Sequence, residues 1–254
     1  MNLKLLNLYI KGLLMNQQFL NLKSPGKAWL ALPFFLFTLP ACTTTEKVRI
    51  DQTTVNCGLL GRDCASRLSV GGKDQLGLRY LNPKANWTSY KKVLITPVTF
   101  WGGDATQVSP SDQHALVDYF TQQVHEQLGK KYEIVRQPGH GVMKIDIAMT
   151  DAEAATPVLR SVSMLVPQAH VLANLKYLAT GTFPFVGGAQ AEIRISDSVS
   201  DKVLGEGIDE RLGGGAFQTG FQWQWGDAEN AINTWCEMMA NRLSAWTSGT
   251  EKPK

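Results

Sequence analysis

Along the 254-residue chain, apolar positions recur with two different rhythms, and each rhythm predicts an element. Met143, Ile145, Ile147 and Met149 alternate with Lys144, Asp146 and Thr150. A two-residue period sorts side chains onto opposite faces, so this stretch predicts a half-buried strand. Ala191, Ile193 and Ile195 alternate with Glu192 and Arg194 in the same way. Ser196 to Lys202 (SDSVSDK) then turns the chain, and Val203 to Leu212 returns as a partner strand weakened by glycine. Val93 to Val98 (VLITPV) is a continuous apolar run, which suits a strand covered on both faces. Pro97 has no N–H to give to a ladder and places the end of that strand near a sheet edge. Tyr132 to Val135 predicts one more short strand.

Steps of three and four residues predict the helices. Leu116, Phe120, Val124 and Leu128 share one face with Val117 and Tyr119, and Gly129 ends the run. Ser109 or Ser111 supplies the cap, with Asp112 in the first turn beside the positive end of the helix. Ala169 to Ala179 reads as a second helix between Pro167 and Gly181, while Val162 to Val166 fits helix or strand equally. The clearest stripe is the last: Trp225, Ala228, Ile232, Trp235, Met239, Leu243 and Trp246. Asn233, Glu237 and Asn241 fall on its other side, and Cys236 sits beside Trp235 as a small buried hydrophobe. The order β-α-β-β-α-β-β-α predicts an α+β domain over residues 90–248, a mainly antiparallel sheet covered by about three helices. Residues 249–254 form a tail.

The N-terminal region carries a different signal. Lys4, Lys11, Lys23 and Lys27 precede an apolar stretch from Ala28 to Ala41, with no acidic residue before Cys42. These 14 residues, apolar except for Thr38, fall short of the roughly 20 that a spanning helix needs, and Pro33 and Pro40 interrupt them. A basic head, a short apolar core and a small residue before the cut describe an export signal over residues 1–41. Leu39-Pro40-Ala41-Cys42 resembles the bacterial lipobox, with Pro40 departing from the usual residue at its position. Cys42 is therefore the expected lipidation site, since a thiol can take a diacylglyceryl group as a thioether. Thr43 stands where an Asp would signal inner-membrane retention, so the expected location is the outer membrane, facing the periplasm. Met15 is an alternative start, because Lys23 and Lys27 already supply the basic head. Residues 42–56 read as a polar tether, and residues 57–89 as an irregular, glycine-rich segment. Cys57 and Cys64 enclose GLLGRD, a spacing that reads as a local disulfide in an oxidising compartment.

Charge removes one class of partner. The four leader lysines account for the formal net of +3; without them 21 basic residues face 22 acidic ones, a net of −1. No basic field remains to hold nucleic acid. His114 and Asp118 share a helix face with His125 nearby, which could begin a metal site, but no HExxH or second ligand group accompanies them. His140 lies in a Gly-His-Gly turn, and His170 in the second helical stretch. No serine sits in GxSxG, and Gly213-Gly214-Gly215 lacks the spacing of a phosphate cradle, which leaves a loop or a close backbone approach. Asp151 and Glu153 are paired carboxylates just past a strand end, suited to acid–base work or to plain solvation. Phe217, Phe221 and Trp223, with Trp225, form the most unusual patch, either packed on the sheet or offered to a partner.

Five segments occur in an order that is similar to one family. They are YKKVLI followed by Pro97-Val98, TDAEA followed by Pro157-Val158-Leu159, and VPQA from Val166; Ala179-Thr180-Gly181 with Phe185-Val186-Gly187 and WGDAE from Trp225 complete the set. Behind a lipobox, they resemble the bacterial lipoproteins grouped as domain of unknown function 3313, over roughly Leu78 to Trp246. The resemblance implies an outer-membrane-associated, periplasm-facing α+β domain. It carries no functional residues over and does not reach Cys57 and Cys64. The expected function is thus an accessory or structural lipoprotein that binds a protein partner in the cell envelope, is not an enzyme and needs no cofactor or metal. Two alternatives stand beside it: a carrier holding a lipid or small molecule between the sheet and the Trp-lined helix, and an envelope enzyme using Asp151 and Glu153.

Overall fold

The computed structural model describes residues 45–53, 55, 57–102, 106–153, 187–213 and 224–253, and of Glu153 the backbone alone. All belong to one compact unit, Ala41–Lys254. Their strands are β1 (Thr45–Lys47), β2 (Ser69–Val70), β3 (Leu78–Leu81), β4 (Lys92–Ile95), β5 (Thr99–Phe100), β6 (Glu133–Val135), β7 (Val142–Glu153), β8 (Gly188–Asp197) and β9 (Val203–Gly213). The helices are α1 (Cys64–Arg67), α2 (Pro110–Gly129) and α3 (Gly226–Ser248). The strands make one sheet in the order β2-β3-β9-β8-β7-β4-β6, with β1 also on β9 and β5 also on β7.

The domain is α+β, and its sheet is mixed but mostly antiparallel. The alternating stretches pair as expected: Ile147 faces Ile193 across β7–β8, and Ile193 faces Gly207 across β8–β9. What the apolar rhythm could not show is strand direction. β4 runs parallel to both β6 and β7, and β5 parallel to β7. The long helix α2 supplies the crossover that a parallel β4–β6 pair needs. Pro97 falls between β4 and β5, where the chain loses β6 as a neighbour and runs along β7 alone.

Two expectations need correction. The stretch read as a tether contributes β1, which pairs with β9 from Thr45↔Gly213 to Lys47↔Arg211. The stretch read as irregular contains α1, β2 and β3, and β3 adds a strand to β9. These elements run four residues or fewer, too short for a period to emerge, and they are held by long-range pairing. The helix expected at Ala169–Ala179 lies outside the described residues.

Helices α2 and α3 cover one face of the sheet. Ser109, not Ser111, caps α2: its hydroxyl accepts the Asp112 N–H at 3.2 Å, and Pro110 occupies the first helical position. Leu116, Phe120, Val124 and Leu128 are all buried. On α3, Trp225, Ala228, Ile232, Trp235 and Leu243 are buried, with Met239 and Trp246 partly buried at the margin. Asn233 accepts the Tyr119 hydroxyl at 2.9 Å, so this polar position belongs to the α2–α3 contact instead of solvent. Gly249 ends α3 with φ 78°, a conformation only glycine adopts without steric cost. Among the described residues no helix is long and apolar enough to cross a membrane.

Trp235 sits at the centre of this layer, stacked on Phe120 with ring centroids 5.9 Å apart. Its indole N–H donates to Asp209 Oδ2 at 2.9 Å, so it carries a polar tie as well as apolar area. Trp235→Ala should cost about 3–5 kcal/mol. Trp235→Phe keeps most of the area and removes the tie, for roughly 1–3 kcal/mol. Thermal melts of both variants test this order; an alanine variant that melts with the parent would place the indole in solvent.

A second stability term is pH-dependent. The Tyr90 hydroxyl donates to Asp197 at 3.1 Å, and burial, followed by that neighbouring charge, pushes the phenol up from 10.0 to about 12. The fold gains from the protonated phenol, a contribution present below pH 10.0 and lost as pH rises through about 12. The stability gap between the parent and Tyr90→Phe should therefore close across that window. A gap that stays constant in alkaline melts would mean that the phenol titrates normally.

Candidate functional site

The sequence-derived candidates scatter. Cys42, Phe217, Phe221 and Trp223 lie outside the described residues, as do His170, Gly214 and Gly215. Of that aromatic group Trp225 is described, and it is core. Cys57 and Cys64 are joined as a disulfide. Asp151 is exposed on β7, its Oδ1 accepting the Ala152 N–H at 2.8 Å, and the Glu153 side chain is outside the described set. His114 and His125 are exposed on α2, with His125 Nδ1 2.8 Å from the Thr121 carbonyl oxygen. Among the described residues no cluster of three His, Cys, Asp or Glu could hold a metal. Cys236 is fully buried, and burial, with Glu237 as a lesser cause, pushes its thiol well above the ordinary range. Gly213 allows a close approach: a Cβ there would collide with the Asp227 carboxylate, which accepts the Gly187 N–H at 2.9 Å.

The sheet face away from α2 and α3 carries a charged network that period-two reasoning leaves in solvent. Glu192 is 1% exposed and accepts the Gly58 N–H at 2.8 Å and the Leu60 N–H at 2.9 Å. Glu206 accepts from Arg194 at 2.9 Å and from Arg67 at 3.2 Å. Both arginines also donate to the Leu60 carbonyl, at 3.0 and 2.8 Å. These bonds lay the disulfide loop onto the sheet, over a small core of Ile50, Leu60, Leu68, Leu78 and Ile208. Buried charges at such sites are tolerated because each is paired or hydrogen-bonded.

Between the opposite sheet face and α3 lies a cavity of about 100 Å³. Leu81, Ile193, Ile195, Trp235, Met239 and Trp246 supply apolar walls. Two of the glycines that weaken β9 in the sequence shape this region. Gly205 presents no side chain to the cavity, and Gly207 lets Leu76 pack where a Cβ would collide with it. Arg79 on β3 and Arg242 on α3 also border the cavity. Arg242 donates to the Asp74 carbonyl, and Lys47 Nζ donates to the carbonyls of Gly72 at 2.7 Å and Gln75 at 3.3 Å. The hairpin loop between β2 and β3 is thereby clasped against α3 by Arg242 and against β1 by Lys47, cations that meet carbonyls, not carboxylates. Met238 and Arg242 are shared with an adjoining open depression that Lys47, Lys73 and Arg211 line, against Asp74 alone among acids. Burial, and then the charge of Arg242, lowers the Arg79 guanidinium from its ordinary value.

The family described as "Protein of unknown function (DUF3313)" matches residues 60–239, well over half of the chain. The chain belongs to this family. The match begins inside the disulfide loop, so the DUF3313 region holds Cys64 but not Cys57, and it includes the whole of the sheet from β2 to β9. No curated protein matches the chain. Among solved structures, a PelC dodecamer from Paraburkholderia phytofirmans is 9% identical, covers 63% of this chain and 95% of its own, with a TM-score of 0.35. A DUF330 protein from Xanthomonas campestris is 10% identical over 68% of this chain and 94% of its own, with a TM-score of 0.37. A hypothetical protein from Chlamydia trachomatis is 10% identical over 63% and 99%, with a TM-score of 0.33. These likenesses say nothing of what the DUF3313 chain binds.

The disulfide and the charged network hold the same loop, which makes the bond testable in the folded protein. Cys57 and Cys64 should resist alkylation until reductant is added, and Cys236 should need denaturant but no reductant. A Cys57→Ser, Cys64→Ser variant should lose about 2 kcal/mol, the smaller end of the usual range for so short a loop. Free reaction of Cys57 in the native, oxidised DUF3313 protein would contradict the pairing.

Proposed function

We propose that this DUF3313 protein is a lipid-anchored accessory protein of the bacterial cell envelope, held through Cys42 at the outer membrane and acting by binding. The observation that carries the binding half is the apolar cavity between α3 and the sheet, since ligand sites are concave, mostly apolar and edged by few polar groups. The anchoring half rests on the leader and its Leu39-Pro40-Ala41-Cys42 sequence. Two or three acyl chains on one cysteine, at about 0.8 kcal/mol per buried methylene, hold a domain at the bilayer without a spanning helix. The ligand of the cavity is an apolar small molecule or lipid. A protein partner docked through Phe217, Phe221 and Trp223 is compatible with that role and is independent of it.

Cells expressing Cys42→Ser should accumulate an unprocessed precursor that takes up no labelled palmitate; a mature, acylated product from that variant would overturn the anchor. Native mass spectrometry of the protein extracted gently from membranes should show a small apolar adduct, released by organic solvent. Ligand-free protein, together with no binding of apolar probes by the purified domain, would overturn the binding role.

A further inference from the structure

The cavity has a chemical polarity that narrows its ligand. Its walls are apolar, and two arginines, Arg79 on β3 and Arg242 on α3, line it from separate elements. Among the described residues no hydrogen bond or ion pair engages the Arg79 guanidinium, and Arg242 is held by a backbone carbonyl. The acids beside the cavity are already engaged. Asp209 accepts from the Gly77 N–H at 2.6 Å, from Arg211 at 2.8 Å and from Trp235 at 2.9 Å. The carboxylates of Glu192 and Glu206 bond on the far face of the sheet. Among the described residues no carboxylate therefore pairs with either guanidinium at this border, and the adjoining depression adds Lys47 and Lys73 against the single acid Asp74.

Size sets the other limit. A water needs roughly 10–15 Å³ of such space, so the cavity holds about seven to ten groups of that size. That is one medium-length alkyl chain, and a two-chain lipid has no room for its second chain. We infer that the cavity takes a single-chain anionic lipid, its acyl chain between Ile193, Trp235 and Met239 and its carboxylate at the Arg79–Arg242 border. Guanidinium groups suit this head because a planar fork meets a carboxylate in two parallel hydrogen bonds. The inference rests on the binding role proposed above and goes further by fixing the charge and the number of chains.

Three ten-carbon probes of different head charge test it on the mature protein, read by calorimetry and by the emission of the Trp residues that line the cavity. Decanoate should bind, and 1-decanol and decylammonium should bind about tenfold more weakly or worse. In Arg79→Gln, Arg242→Gln the preference for decanoate over 1-decanol should collapse while 1-decanol binding persists. Because the second substitution also removes a loop contact, Arg79→Gln alone, with its melting curve, is the companion variant; it should lose most of the preference without losing stability. Equal binding of decanoate and 1-decanol by the parent would overturn the anionic ligand and leave an apolar site standing. Failure of every ten-carbon probe to bind would overturn the cavity as a binding site altogether. A decanoate preference unchanged in both variants would move the head away from this border and overturn the assignment.

Discussion

A single buried carboxylate ties together the parts that make the cavity. Asp209 stands on β9, and its two oxygens accept from the chain leading into β3, from Arg211 two residues on, and from Trp235 on α3. A carboxylate that is 2% exposed is costly unless its lone pairs are filled by well-aimed donors. That requirement fixes the distance of α3 from the sheet and the path of the loop before β3. The tie and the aromatic stack of Trp235 on Phe120 set the height of α3.

The same strand, β9, is buried on both sides, and its two faces do different work. Toward α3 it presents Gly205 and Asp209, which line the cavity, and Gly207, on which Leu76 packs. Away from α3 it presents Glu206 and Ile208, which receive the disulfide loop. The charged network on that far face is shielded by the loop it binds, so Glu192 and Glu206 act on each other's neighbours through low-dielectric surroundings where their pairing is strong. Loop, disulfide and network are one assembly: each holds the others in place over a core too small to be stable by itself.

Legibility of the site followed the range of the interactions involved. The α3 stripe and the alternation of β7 and β8 were plain in the sequence, because each rests on the backbone period of one element. From these a pocket between sheet and Trp-lined helix could be anticipated, though not its size or its charge. Arg79 and Arg242 carry no local signal. They lie far apart in the chain, each an ordinary surface arginine by spacing, and become a pair only because β3 adds to β9 beneath α3. Gly205 and Gly207 read as a weakness in a strand, and their effect, a cavity wall at Gly205 and a seat for Leu76 at Gly207, depends on the side chains opposite them. Glu192 and Arg194 read as a solvated row, and only the loop that folds over them makes them core.

The sequence by itself determined the elements with a sustained period, the end of α2 at Gly129, the α+β class and the local Cys57–Cys64 pairing, because those rest on patterns within single elements or a short loop. Tertiary structure alone decided strand direction at β4, β5 and β6, the recruitment of β1, β2 and β3 from stretches without any period, and the meeting of two arginines at an apolar cavity. These depend on hydrogen bonds and packing between residues 50 or more positions apart in most cases, such as Arg79 on Gly207 and Lys92 on Val142. No local pattern encodes a contact whose energy is realised only when the whole sheet has formed.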